Sequence, residues 1–295
     1  MKKKLLVGSF WGVVGILLLC FQFTPAFSLA IAFFTAVASY EILNVAQVKN
    51  KAMITLSCIT AALIPLIVDY NADFGFLSKI PISTASLILI YLFLQVIFMF
   101  TRFEKTRFEH VTMSMFSGLV IPYLMSRLIV IRDLHQAYPE FYTRSNAAYL
   151  TLSVLVCCWI TDTMSFIFGS KLGKHKMAPK ISPKKTWEGA VGGLLGTTVI
   201  NVIVWLVFFA LSKLGWITPI FMPVWAVPIF TIILSAISMI GDLAASTIKR
   251  NYGIKDFGKL MGDTHGGVMD RFDSAVYVCG AAYIFIEIFE YFRLS

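Results

Sequence analysis

The sequence predicts an all-α integral membrane protein, a polytopic helical bundle of about nine transmembrane helices. Three observations carry this. Of 295 residues, 58% are hydrophobic and 14% charged, whereas about a quarter of a soluble domain is charged. The mean hydropathy is +0.79. The apolar residues also gather into nine runs, each about long enough to cross a bilayer. Together these exclude disorder, a coiled coil, a collagenous repeat and an ordinary soluble enzyme. Nine spans of roughly 20 residues use about 180 residues. The remainder serves as loops, so chemistry must sit in short loops or inside the bundle.

In chain order the expected spans are 5–23, 27–47, 52–70, 83–101, 112–131, 147–169, 190–213, 222–247 and 274–292. The first begins after Met1-Lys2-Lys3-Lys4 and precedes Pro25-Ala26-Phe27-Ser28, an arrangement that resembles a secretory signal peptide. The second span starts almost at once, so a retained anchor is expected. Residues 1–140 read as a scaffold of lipid-facing helices, and 141–295 as helices joined by functional cytoplasmic loops.

The net charge of +9 comes from 25 Lys and Arg against 16 Asp and Glu. With the N-terminus inside and the spans alternating, the inside set holds 19 of those cations and the outside set six. That split follows the positive-inside rule. It favours a cytoplasmic-membrane protein with its N-terminus inside, and it explains the basic balance without nucleic acid. Cys20, Cys58, Cys157, Cys158 and Cys279 lie in apolar runs with no C-x-x-C spacing. They read as packing residues, neither disulfides nor zinc ligands.

Two inside loops exceed what orientation requires. Residues 169–189 hold six lysines and no acid before Glu188. Gly169, Gly173, Pro179 and Pro183 give this loop a specified shape. Thr186 can cap the next span, and the free N–H groups of a helix start suit phosphate. Anionic membrane lipid is the simpler partner for such a loop.

The second region, 241–274, holds five of the 16 acids. Asp242 lies inside an apolar helix, where a carboxylate is costly and normally faces a partner or a wet cavity. Asp242, Ser246, Lys249 and Arg250 share one helical face by spacing. Asp270 and Asp273, three residues apart, share another. Carboxylates beside Lys and Arg are either ion pairs or the hard-oxygen set that a Mg²⁺–nucleotide requires. His265-Gly266-Gly267 supplies a turn whose backbone can approach a ligand closely. Asp162, just before the lysine loop, can pair with it or help hold metal. Glu41 reads as a helix–helix hydrogen bond, and Glu287 and Glu290 as interfacial.

Ser246-x-x-Lys249-Arg250-x4-Lys255-Asp256-x-Gly258, followed by His265-Gly266-Gly267-x-x-Asp270-Arg271-x-Asp273-Ser274, resembles the signature of the phosphatidate cytidylyltransferase (CDP-diacylglycerol synthase) family. Ile181-Ser182-Pro183-Lys184-Lys185-Thr186-x-Glu188-Gly189 looks like that family's second stretch. The resemblance covers roughly 160–275. It departs where Gly262-Asp263-Thr264 stands in place of Pro-Gly before the histidine, and where Ser165-Phe166 replaces Ala-Tyr.

The resemblance implies transfer of CMP from CTP to phosphatidate, giving CDP-diacylglycerol and pyrophosphate, with Mg²⁺ and room for a second cation. It implies Asp242, Ser246, Lys249 and Asp270 as catalytic residues. Asp242 and Asp270 would hold metal, with Asp273 and Asp256 as weaker ligands. Lys184, Lys185, Arg250, Lys255, His265, Gly266, Gly267 and Arg271 would bind substrate on the cytoplasmic side, and a homodimer is compatible. A CTP-dependent lipid kinase is the nearest other enzyme. An ion-coupled transporter is the nearest other class, but its acids would sit at the midplane and its halves would repeat.

Overall fold

The computed structural model describes residues 19–69, 83–101, 103–104, 106–258 and 266–294. Among these, eight helices are long and apolar enough to cross a membrane. Each expected span from the second onward has its helix. Residues 5–18 of the first lie outside the described residues. The chain is an all-α integral membrane protein, with one short hairpin as its sheet among the described residues.

Two compact units form. The first comprises described residues of 1–129 and 254–272. It contains α1 (Pro25–Val45), α2 (Lys51–Val68), α3 (Thr84–Thr101), α4 (Phe108–Met115), a π-helical turn (Phe116–Val120) and the start of α5 (Ile121–Ala137). Pro25 occupies the first turn of α1, where its missing N–H costs nothing. Asn50 caps α2, its side-chain oxygen accepting from the Ala52 N–H at 3.1 Å.

Polar side chains join these apolar helices, as membrane packing needs when lipid is as apolar as leucine. Thr35 donates to the Ala61 carbonyl at 2.7 Å. The Gln95 amide donates to Ser57 at 3.0 Å, and Ser57 bonds the Tyr91 hydroxyl at 2.8 Å. The Tyr91 hydroxyl in turn donates to the Ser114 carbonyl at 2.6 Å. That carbonyl lies just before the π-helical turn, where the ordinary helical ladder is interrupted.

The second unit comprises 130–253 and 273–295, its last residue outside the described set. It contains the end of α5, α6 (Arg144–Leu172), the strands β1 (Lys176–Ala178) and β2 (Ser182–Thr186), α7 (Trp187–Lys213), α8 (Ala226–Asn251) and most of α9 (Met269–Leu294). The face of α7 toward α6 is built from small residues. A Cβ on Gly189 would stand 3.0 Å from the Gly169 Cα, and one on Gly196 would stand 2.9 Å from Met164. Glycine at this spacing lets membrane helices approach closely. Thr161 bonds Thr197 at 3.1 Å and donates to Ser235 at 2.9 Å, tying α6, α7 and α8 together.

Several helices outrun their apolar runs, because polar first and last turns continue the backbone ladder beyond the hydrocarbon. The helix α5 reaches Ala137, so Arg132, expected in an outer loop, is inside it. It is fully buried and holds Asp133 through two bonds of 2.9 and 2.6 Å. Glu290, expected at the interface, is buried and accepts a hydrogen bond from Tyr142.

Candidate active site

The lysine-rich loop is a hairpin. β1 and β2 pair antiparallel, Lys176 opposite Thr186 and Ala178 opposite Ser182. Thr186 ends β2 and caps α7, its hydroxyl accepting from the Gly189 N–H at 3.1 Å. Glu188 reaches back in the first turn of α7. It accepts from the Lys174 N–H at 3.0 Å and from the His175 ring at 2.6 Å. A Cβ on Gly173 would come within 2.7 Å of Thr186, so glycine is needed where α6 turns into the hairpin. Arg250, at the end of α8, donates from Nε to the Ile181 carbonyl at 3.2 Å and holds the hairpin's tip.

Strand alternation sorts the two motif lysines. Lys184 is exposed, whereas Lys185 is half-buried and pairs with Asp242. Lys249, one helical face further along α8, pairs with Asp273 at 3.6 Å, and both are buried. Asp273 also accepts from the Ser274 N–H at 2.8 Å. Asp162 acts electrostatically on Asp242 and Lys185. Asp273 likewise feels Asp242, Lys249 and Asp162. Three carboxylates and two ammonium groups therefore share one neighbourhood in this unit. It runs from an exposed side at Asp162 to a closed side at Asp273. Ser246 lies buried on the same helix as Asp242.

Pairing differs from what α8 alone suggests. Asp242 and Lys249 are seven residues apart on one face, about 10 Å along the axis, so each takes a nearer partner from another element. Asp162 joins the lysine loop's neighbourhood, which its place in the chain allowed.

In the first unit, Asp270 opens α9. Its Oδ2 accepts from the Gly267 N–H at 3.0 Å and from the Phe257 N–H at 2.7 Å. Asp270 thus closes the helix start in the manner of an N3 carboxylate and also anchors the incoming chain. Gly266 has φ +72°, in the left-handed region that favours glycine. Gly267 is buried, and the close neighbour it admits is the carboxylate of Glu41, which also accepts from the Val268 and Met269 N–H groups at 3.0 and 2.9 Å. Lys255, Asp256 and Arg271 are exposed. His265, with Lys259 and Asp263, lies outside the described residues.

Among the described residues, no three His, Cys, Asp or Glu converge to cage a metal. A Mg²⁺ ion arriving with a triphosphate asks for less, one or two carboxylates with phosphates and water completing an octahedron. Asp242 and its acidic neighbours meet that need in kind, being hard oxygen donors beside phosphate-sized cations.

Helices of membrane-spanning length define a polytopic membrane protein, and the compensated carboxylate–lysine cluster is its candidate site. The chain belongs to the cytidylyltransferase family, whose model matches residues 3–289. Among curated proteins it is similar to the phosphatidate cytidylyltransferase of Staphylococcus haemolyticus (strain JCSC1435), 40% identical over 139 residues, 47% of this chain and 49% of that protein. Those of Staphylococcus saprophyticus (39% over 138 residues) and Staphylococcus aureus strain COL (39% over 139) match over the same 47% and 49%. The chain spans about half the length of the curated relatives it matches.

Proposed function

We propose that this protein is a phosphatidate cytidylyltransferase, converting CTP and phosphatidate to CDP-diacylglycerol and pyrophosphate. The observation that carries the reading is the cluster of Asp162, Asp242 and Asp273 with Lys185 and Lys249, in a chain of the cytidylyltransferase family. The reaction brings two polyanions together. An oxygen of the lipid phosphate attacks the α-phosphorus of CTP, the bond to the β-phosphate oxygen breaks, and pyrophosphate leaves. No covalent enzyme intermediate is needed, because the lipid phosphate is already the nucleophile.

The protein's part is then positioning and electrostatics. Lys185 and Lys249 offset phosphate charge while their paired aspartates keep them in place. Lys184, exposed on the outer face of β2, reaches a nucleotide or lipid headgroup. Ser246, Arg250, Lys255 and Arg271 take the remaining phosphate and nucleotide contacts, and the His265-Gly266-Gly267 turn shapes the pocket that receives the substrate. Mg²⁺, when bound, supplies charge neutralisation of the triphosphate and of the departing pyrophosphate. Asp242 and Asp270 are its first candidate ligands, with Asp273 and Asp256 after them.

The charge split supports an N-terminus inside a cytoplasmic membrane, with the hairpin on the side where CTP is found. Purified protein given Mg²⁺, CTP and phosphatidate should release pyrophosphate and accumulate a CDP-lipid. Release of CDP with a newly phosphorylated lipid would mark a kinase instead.

A further inference from the structure

A carboxylate buried in a membrane helix is costly unless it has a fixed task. Glu41 sits in the apolar helix α1 and is only 5% exposed. Its partners lie 227 and 228 residues further along the chain. Oε1 accepts from the Val268 N–H at 3.0 Å and Oε2 from the Met269 N–H at 2.9 Å. These belong to the first donors of α9, which a helix leaves without internal partners. A negative charge there also meets the positive end of the helix dipole.

The same carboxylate is enclosed by glycines. A Cβ on Gly258 would stand 2.7 Å from the Glu41 Cδ, and one on Gly267 would stand 2.6 Å from it. Both positions therefore admit no side chain without displacing Glu41. Phe34, two turns earlier on α1, stacks on Phe272 at 4.7 Å between ring centroids. Beside this anchor, Asp270 binds the Gly267 and Phe257 N–H groups. Glu41 thus holds Val268 and Met269, the two residues between Asp270 and its attachment at Gly267. Each Glu41 carboxylate oxygen has a backbone amide donor.

We infer that Glu41 is a positioning residue, setting where the Asp270 carboxylate stands through the Gly267–Met269 backbone. The inference rests on the cytidylyltransferase reading. A displacement of about 1 Å in a catalytic group costs on the order of 100-fold in rate, and that is the loss expected in kcat. Glu41→Gln keeps the size but turns an N–H-bearing amide toward backbone donors. Gly267→Ala pushes on the same contact from the other side, and Glu41→Asp withdraws the carboxylate by one methylene.

The experiment compares kcat and KM for CTP, per folded molecule, in wild type, Glu41→Gln, Glu41→Asp, Gly267→Ala, Asp270→Asn and the double variant Glu41→Gln/Asp270→Asn. A positioning role predicts a kcat about 100-fold down in those Glu41 and Gly267 variants that fold, with KM for CTP little changed. It also predicts a double variant no slower than Asp270→Asn alone, since residues acting as a unit are not additive. Wild-type kcat in any folded Glu41 variant, or a double variant slowed by the product of the two single losses, overturns the inference. Wild-type protein that forms no CDP-lipid overturns the activity reading itself, an outcome visible in the control before any variant is compared.

Discussion

The ion pair between Lys185 and Asp242 offers the most exacting perturbation of the carboxylate–lysine cluster. Replacing Lys185 with Met leaves three carboxylates facing Lys249 alone. Two unit charges about 4 Å apart, at an effective dielectric constant of about 20, attract by ~4 kcal/mol. The side chains are 24% and 23% exposed, so water screens part of this. Desolvation of both groups offsets more. A net coupling of about 1–3 kcal/mol is what remains. Equilibrium unfolding of Lys185→Met, Asp242→Asn and the double variant in mixed micelles reads it directly. Each single change should destabilise, and the double variant should be more stable than the summed costs predict by that coupling. Turnover should not return with stability, because the double variant lacks both the ammonium proposed to bind phosphate and the candidate metal ligand. Costs that add to within a few tenths of a kcal/mol would refute the pairing.

Three further substitutions test the geometry, and a labelling pair tests the orientation that the charge split gives. Asp270→Asn keeps an acceptor for the Phe257 and Gly267 N–H groups, so it should fold while losing about 10²–10³ in turnover. Asp270→Ala should also destabilise by about 1–3 kcal/mol for each amide left unpaired, measurable as a lower unfolding midpoint. Gly173→Ala should strain the turn against Thr186 and loosen the hairpin, seen as faster proteolysis between residues 173 and 186. In a background freed of native cysteines, Lys176→Cys should label from the cytoplasmic side and Glu140→Cys from the outside. The reverse pattern would invert the orientation.

The spans were legible because hydropathy reports burial in lipid directly. Their ends were not, since Leu172 and Met269 extend helices through residues that no apolar run includes. The glycines and prolines of 169–189 signalled a shaped loop, and Thr186 signalled a cap, but neither encodes strand pairing. Only the hairpin's alternation separates Lys184 from Lys185. Spacing on α8 placed Asp242 and Lys249 on one face and left their partners open, because those come from β2 and α9. Glu41 is the residue that sequence reasoning undervalued. Its signal was an acid inside an apolar run, and its partners, more than 220 residues away, follow from tertiary folding alone. The glycine pair at 266 and 267 pointed to a ligand approaching the backbone. The structure supplies the approaching group at Gly267, which is Glu41.

Attack of a lipid phosphate on the α-phosphorus of CTP fixes the fate of each phosphate, and a radiolabel follows it. Purified protein is incubated with Mg²⁺, phosphatidate and CTP labelled either at the α- or at the γ-phosphate. The α-label should enter the lipid fraction and the γ-label should leave as pyrophosphate. Recovery of the γ-label in lipid, with the α-label left in CDP, would contradict attack at the α-phosphorus.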